Sequence, residues 1–140
     1  MSAAAQAELM EKEKHIMEIQ QKVQMLQNQV ANLANNQAAL EREKKRCQIT
    51  NAELSRCDTD STVYRSVGRM FVKQNVTDLH KTHSERETKC GEEALKLSNE
   101  KKRAGESLQR NEAELTQAAK EYMATIQILQ SQANAAQAKK

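Results

Sequence analysis

The sequence predicts a mainly α fold: two long helices forming an antiparallel coiled-coil hairpin, joined by a single β-hairpin at the bend. Three observations predict it. Apolar residues recur at alternating steps of three and four along the first half of the chain, the signature of a coiled-coil seam. A second seam of the same spacing runs through the last third. Between them, at the middle of the 140 residues, Thr62 to Gln74 is a short stretch rich in Val, Tyr, Phe and Met around one glycine, which reads as strand and turn. The whole chain is expected to be one domain, with helical arms at about 5–57 and 76–135 and a hairpin at about 61–74.

In the first arm, Leu9, Ile16, Val23 and Val30 occupy heptad position a, and Ile19, Leu26, Leu33, Leu40, Cys47 and Leu54 occupy d. Mostly β-branched residues at a with mostly Leu at d is a regular coiled-coil pattern. The same register continues through Gln37, Lys44 and Asn51 at a. The seam therefore turns polar toward the middle of the chain, lowering stability while fixing alignment against the partner helix. The long stem of Lys44 allows it to lie along the seam with its charge in water.

The central stretch splits into Thr62 to Val67 and Met70 to Gln74, joined at Gly68-Arg69. A glycine at the first central position supplies the positive φ that a type II′ hairpin turn requires. An isolated two-stranded hairpin is marginal in water, and two slim helices offer little surface to cover Tyr64, Val67, Phe71 and Val72. The expectation is that strands of other chains pair with it and close a sheet or barrel.

Asn75 or Thr77, followed by Asp78, marks the start of the second arm. Its seam runs through Cys90, Ala94, Leu97, Lys101, Ala104, Leu108, Asn111, Leu115, Ala118, Tyr122, Thr125 and Leu129. Gly91 and Gly105 interrupt it, each costing about 1 kcal/mol relative to Ala. Folding the chain about Gly68 pairs residues whose numbers sum to about 138. Ile16 then meets Tyr122, Val23 meets Leu115, Val30 meets Leu108, Gln37 meets Lys101, and Cys47 meets Cys90.

Composition narrows the function. With 38% hydrophobic residues, three aromatics and no proline, the chain lacks the material for an ordinary globular core. A net charge of +3 with both signs interleaved gives no nucleic-acid footprint, and the basic run Glu41 to Arg46 reads as a solvated helix face. No apolar run spans a bilayer, and residues 2–8 carry no signal-peptide features, so a cytoplasmic protein without membrane association is expected. Three cysteines without close pairs fit reduced thiols. Cys57, Cys90, His80 and His83 match no standard zinc spacing, and three glycines make no phosphate loop. No cofactor, metal or catalytic residue is therefore assigned.

The stretch Tyr64-Arg-Ser-Val-Gly-Arg-Met-Phe-Val-Lys-Gln74 between arms of near-equal length resembles the β-class subunits of prefoldin, and its Val67-Gly-Arg-Met-Phe71 core is most similar to the subunit 1 branch. The Gly-Pro pair frequent at this turn in the class is Gly68-Arg69 here. The resemblance implies a non-enzymatic, ATP-independent co-chaperone of four β-class and two α-class subunits whose hairpins join into a double β-barrel. It further implies capture of unfolded polypeptides of the actin and tubulin type by the coiled-coil tips, and delivery to the cytosolic group II chaperonin. Assembly would then rest on Val63, Tyr64, Val67, Gly68, Met70, Phe71 and Val72. The termini would form the tip, with Leu9, Met10, Ile16, Met17, Met123, Ile126, Ile128 and Leu129 as substrate-binding residues. Methionine suits that task because its flexible, polarizable side chain adapts to unrelated apolar segments. The alternative is a structural or tethering coiled coil in which the central stretch is only a break in a rod. A membrane scaffold is disfavoured, since neither helix has a broad apolar face backed by Lys and Arg.

Overall fold

The computed structural model describes residues 2–139. In chain order its elements are α1 (Ala3–Leu54), β1 (Val63–Val67), β2 (Met70–Gln74) and α2 (Val76–Ala138). This is the mainly α, single-hairpin architecture that the heptads and the central stretch predict. Two compact units divide the chain: a bend unit, Asn32–Lys101, and a terminal unit made of Met1–Ala31 and Lys102–Lys140.

The helix ends follow local chemistry. The Ser2 hydroxyl accepts a hydrogen bond from the Ala5 amide at 3.3 Å, capping α1. At the other end the Ser55 hydroxyl donates to the Asn51 carbonyl at 2.8 Å, and the Arg56 and Cys57 amides bond to the Glu53 and Leu54 carbonyls in a tightened last turn. Asn75 caps α2, its Oδ1 accepting from the Thr77 amide at 3.0 Å, with Asp78 in the first turn favoured by the helix dipole. Helix α2 passes through both glycines unbroken. The Lys44 stem lies over Gly91, where an added Cβ would stand 3.6 Å from Nζ. Nothing in the structure explains Gly105.

In the bend unit the core is a narrow seam. Cys47, Asn51 and Leu54 of α1 and Val76, Leu79, Cys90 and Ala94 of α2 are buried. Burying a Leu-sized side chain contributes about 1.5–3 kcal/mol, so a seam this thin depends on each of its members. Val76, Leu79, His83 and Glu87, buried or half-buried, extend the α2 seam back to the hairpin with steps of three and four. Polar side chains lock the alignment: Asn51 Nδ2 donates to Ser84 Oγ at 3.1 Å, Gln48 Nε2 to Glu87 Oε1 at 2.9 Å, and Ser55 Oγ lies 3.1 Å from His80 Nε2. Glu43 holds Arg86 of the other helix at 2.8 Å. In the terminal unit, Ile19, Val23 and Ala104 are buried and Leu9, Ile16, Leu26, Val30, Leu108, Leu115, Ala118, Tyr122, Thr125 and Leu129 are half-buried.

The cross-helix hydrogen bonds place the pairing within a few residues of the expected register. In the bend unit the three pairs sum to 135, and in the terminal unit Tyr122 with Glu13 and Lys12 with Thr125 sum to 135 and 137. The expected helix pairs sum to about 138, and the strand pairs across the Gly68-Arg69 turn sum to 137, the value equal connections would carry into the helices. The connections are unequal: eight residues separate α1 from β1, whereas Asn75 alone separates β2 from α2. The pairing axis accordingly moves toward the first helix. Gln37 and Lys101 are both half-buried, but Gln37 Oε1 has no hydrogen-bond partner among the described residues.

Cys47 and Cys90 are both buried, and the Cys47 thiol is pushed up by burial, then by the Glu43 carboxylate, with the Cys90 thiol also contributing. Cys57 is exposed beyond the end of α1. Mild oxidation with diamide is expected to yield an intramolecular Cys47–Cys90 crosslink, read by peptide mass mapping. A Cys57 link to either residue instead would contradict the seam.

Candidate functional site

Two surfaces emerge where the sequence places functional residues. The first is the hairpin. Residues Val63↔Gln74, Tyr64↔Lys73, Arg65↔Val72, Ser66↔Phe71 and Val67↔Met70 pair antiparallel. Gly68 has φ of +61° and no other described residue has positive φ, which is the φ pattern of a type II′ turn. A Cβ at Gly68 would meet nothing within 4 Å, so glycine is required by backbone conformation and not by space.

The register sorts side chains and backbone groups. Directly paired residues share a face, so Val63, Arg65, Val67, Met70, Val72 and Gln74 lie on one face and Tyr64, Ser66, Phe71 and Lys73 on the other. Residues flanking a two-residue turn exchange both backbone hydrogen bonds, and bonded and unbonded pairs alternate from there. The amides and carbonyls of Tyr64 and Ser66 thus point out along the free edge of β1. Those of Phe71 and Lys73 point out along the free edge of β2. Among the described residues, the sheet has no third strand.

Both faces are bare. Phe71 is 74% exposed, Met70 66% and Tyr64 59%, with Val67 and Val72 also exposed; only Val63 and Gln74 at the base are half-buried. A solvated sheet normally hides one apolar face, and open edges are templates for strand addition. This hairpin offers two edges and two faces together, the geometry of an unfilled pairing surface.

The second surface is a groove of about 510 Å³ in the terminal unit, lined by Ala5, Leu9, Tyr122, Ile126, Leu129 and Ala133, with polar groups at Ser2, Gln130 and Gln132. The Tyr122 hydroxyl donates to the Glu13 carboxylate, which raises the phenol's pKa, with burial adding to the effect. Lys12 Nζ donates to Thr125 Oγ1 at 2.6 Å and pairs with Glu8 at 3.2 Å, a polar rim beside the apolar lining.

Of the sequence-selected terminal residues, Leu9, Ile126 and Leu129 come together in this groove. Ile16 is half-buried deeper in the seam. Met10, Met17, Met123 and Ile128 stand outside it, each more than half exposed, as does Met25. Met10 and Met17, seven residues apart, share one face of α1. Ile126 thus differs from its helix neighbours Met123 and Ile128. It follows the seam residue Thr125 and turns partly inward. Small residues Ala5 and Ala133 escaped sequence reading because alanine carries no periodic signal of its own, yet their size opens the groove. Ile49 and Leu95 are exposed singly in the bend unit, which needs no functional account.

Among the described residues no group of three or more His, Cys, Asp or Glu is placed to hold a metal ion. None of the described helices is long and apolar enough to cross a membrane. His80 shares a hydrogen bond with Ser55, and His83 Nδ1 is buried without a hydrogen-bond partner among the described residues.

Comparison with known proteins adds a family to this geometry. No curated protein matches the chain in sequence. In structure the chain is similar to the prefoldin beta subunit from Thermococcus strain KS-1, with a TM-score of 0.66 and 17% identity over 74% of this chain and 91% of that one. That likeness gives the fold: two long helices with one two-stranded hairpin between them. The profile of the prefoldin subunit family matches residues 17–122, which takes in most of both helices and the entire hairpin. The chain belongs to the prefoldin subunit family.

Proposed function

We propose that this chain is a β-class subunit, of the subunit 1 type, in a hetero-hexameric, ATP-independent co-chaperone. Its hairpin joins those of other α- and β-class prefoldin subunits in a β-barrel. Its terminal unit grips unfolded polypeptides of the actin and tubulin type, which the assembly hands to the cytosolic group II chaperonin. No catalytic residue, nucleic acid or membrane takes part, and the chain works in the cytoplasm.

The observation that carries this reading is the hairpin with both edges open and Tyr64, Met70 and Phe71 more than half exposed. Such a surface is an aggregation hazard on a free chain and a joint in an assembly. Assembly rests on Val63, Tyr64, Val67, Met70, Phe71 and Val72, with Gly68 setting the turn. The terminal groove and the exposed methionines around it support the grip, because apolar lining with adaptable side chains suits many sequences. Leu9, Ile126 and Leu129 form its floor, Ile16 continues the seam beneath, and Met10, Met17, Met123 and Ile128 extend the apolar surface outside it. A tethering rod has no use for the hairpin.

Native mass spectrometry of tagged protein purified from its own cytosol tests the reading. A six-subunit complex of coiled-coil chains of similar mass is expected. A homodimer or polymer without such partners would overturn it.

A further inference from the structure

The hairpin has a charge property that its exposed apolar residues conceal. Between Ser61 and Thr77 the chain carries Arg65, Arg69 and Lys73 and no carboxylate. The chain as a whole has 22 basic and 19 acidic residues, so its net +3 equals the charge of the hairpin, and the rest balances at 19 of each. None of these three cations forms an ion pair among the described residues, although other charged side chains of the bend unit, such as Glu43 with Arg46 and Arg86, do.

The register places them. Arg65 is the middle residue of β1 and shares its face with Val63, Val67, Met70 and Val72; Lys73 is on the other face opposite Tyr64; Arg69 is in the turn. Covering the aliphatic face therefore also covers a guanidinium, and a buried charge without a partner is strongly destabilising. Two copies of this chain joined along the full length of β1 would pair the outward-facing backbone of Tyr64 with that of Ser66. Arg65 would then stand directly opposite Arg65 in an unbonded pair, with Cα atoms about 4.5 Å apart. Like charges so placed destabilise a sheet.

Resting on the assembly reading above, we propose that the β1 edge accepts a strand from a different chain that sets an Asp or Glu against Arg65, and that Arg65 excludes a second copy of β1 from this edge. The apolar residues supply the attraction, and Arg65 chooses the partner. Specificity of this kind comes from an introduced repulsion as much as from a new attraction.

The test uses full-length chains and needs no unidentified partner. A full-length Arg65→Glu copy is the probe, with association measured for the wild-type pair, the variant pair and the mixture. Arg65 is exposed, so both chains should keep the same helical circular dichroism. The mixed pair is expected to associate about tenfold more tightly than either like pair, with the preference shrinking between about 50 and 500 mM salt. Equal affinities, a salt-independent preference, or no association in any mixture would overturn the proposal. So would binding of a thymidine oligonucleotide that Arg65→Glu abolishes without any preference between copies, which would assign the surface to nucleic acid. Purification of the Arg65→Glu chain from its own cytosol separates the two readings. Hexamers at wild-type yield would sink the charge-matching proposal and leave the assembly intact. Absence of hexamers from wild type, with the mixed-pair preference retained, would sink the hexamer reading alone.

Discussion

A chain carrying Phe71→Asp and Val72→Asp is expected to be absent from any hetero-oligomer while remaining helical. The two residues point to opposite faces of β2, so the pair of substitutions spoils whichever face is covered. Each loses the burial of a large apolar side chain, worth about 1.5–3 kcal/mol. Each also places a carboxylate in a desolvated sheet, at a further cost of several kcal/mol unless a cation meets it. The sum exceeds about 4 kcal/mol, a loss of at least a thousandfold in association. In the free chain both side chains are exposed, so helix content should hardly change. Native mass spectrometry reads the assembly and far-ultraviolet circular dichroism reads the fold. Intact oligomers containing this variant would remove the hairpin from the assembly interface.

The second large effect concerns the terminal unit. Changing Met10, Met17, Met123 and Ile128 together to Ser should leave assembly and thermal stability near wild type, because all four are more than half exposed and exposed substitutions usually shift stability by less than about 0.5 kcal/mol each. Suppression of aggregation of chemically unfolded actin, followed by light scattering, should weaken about tenfold. That is the effect of losing a fraction of a kcal/mol at each of several weak contacts. Unchanged suppression would move the grip to the groove of Leu9, Ile126 and Leu129, which a second variant, Leu9→Ser with Ile126→Ser, would then be expected to disable.

These two surfaces were not equally legible in the sequence. The hairpin announces itself because every signal agrees: Val, Tyr, Phe and Met in two short runs, and a glycine where the turn demands positive φ. The terminal surface is harder to read, since a methionine on a helix has no pattern that separates seam, groove and solvent. Ile126 illustrates the difficulty. One position past the seam, its exposure depends on how the neighbouring helix rotates, and the structure turns it into the groove.

What the sequence determined by itself is the architecture. Heptads fix which residues form the seam, because only one stripe of a helix can be hidden by a single partner. The seam residues assigned between Leu9 and Leu54 and between Cys90 and Leu129 accordingly occupy buried or half-buried sites without exception. The cap at Asn75 and the turn at Gly68 were also legible, being set by local backbone chemistry. Tertiary structure decided the alignment of one helix on the other. Unequal connections at the bend and the polar contacts Asn51–Ser84 and Gln48–Glu87 settle the alignment there to within a few residues, a fine adjustment that periodicity and the position of the turn do not specify. Groove formation follows from alignment within the terminal unit, where Glu13 meets Tyr122 and Lys12 meets Thr125. Small residues near both termini face one another only once the register is set, and space between two helices belongs to neither sequence segment alone.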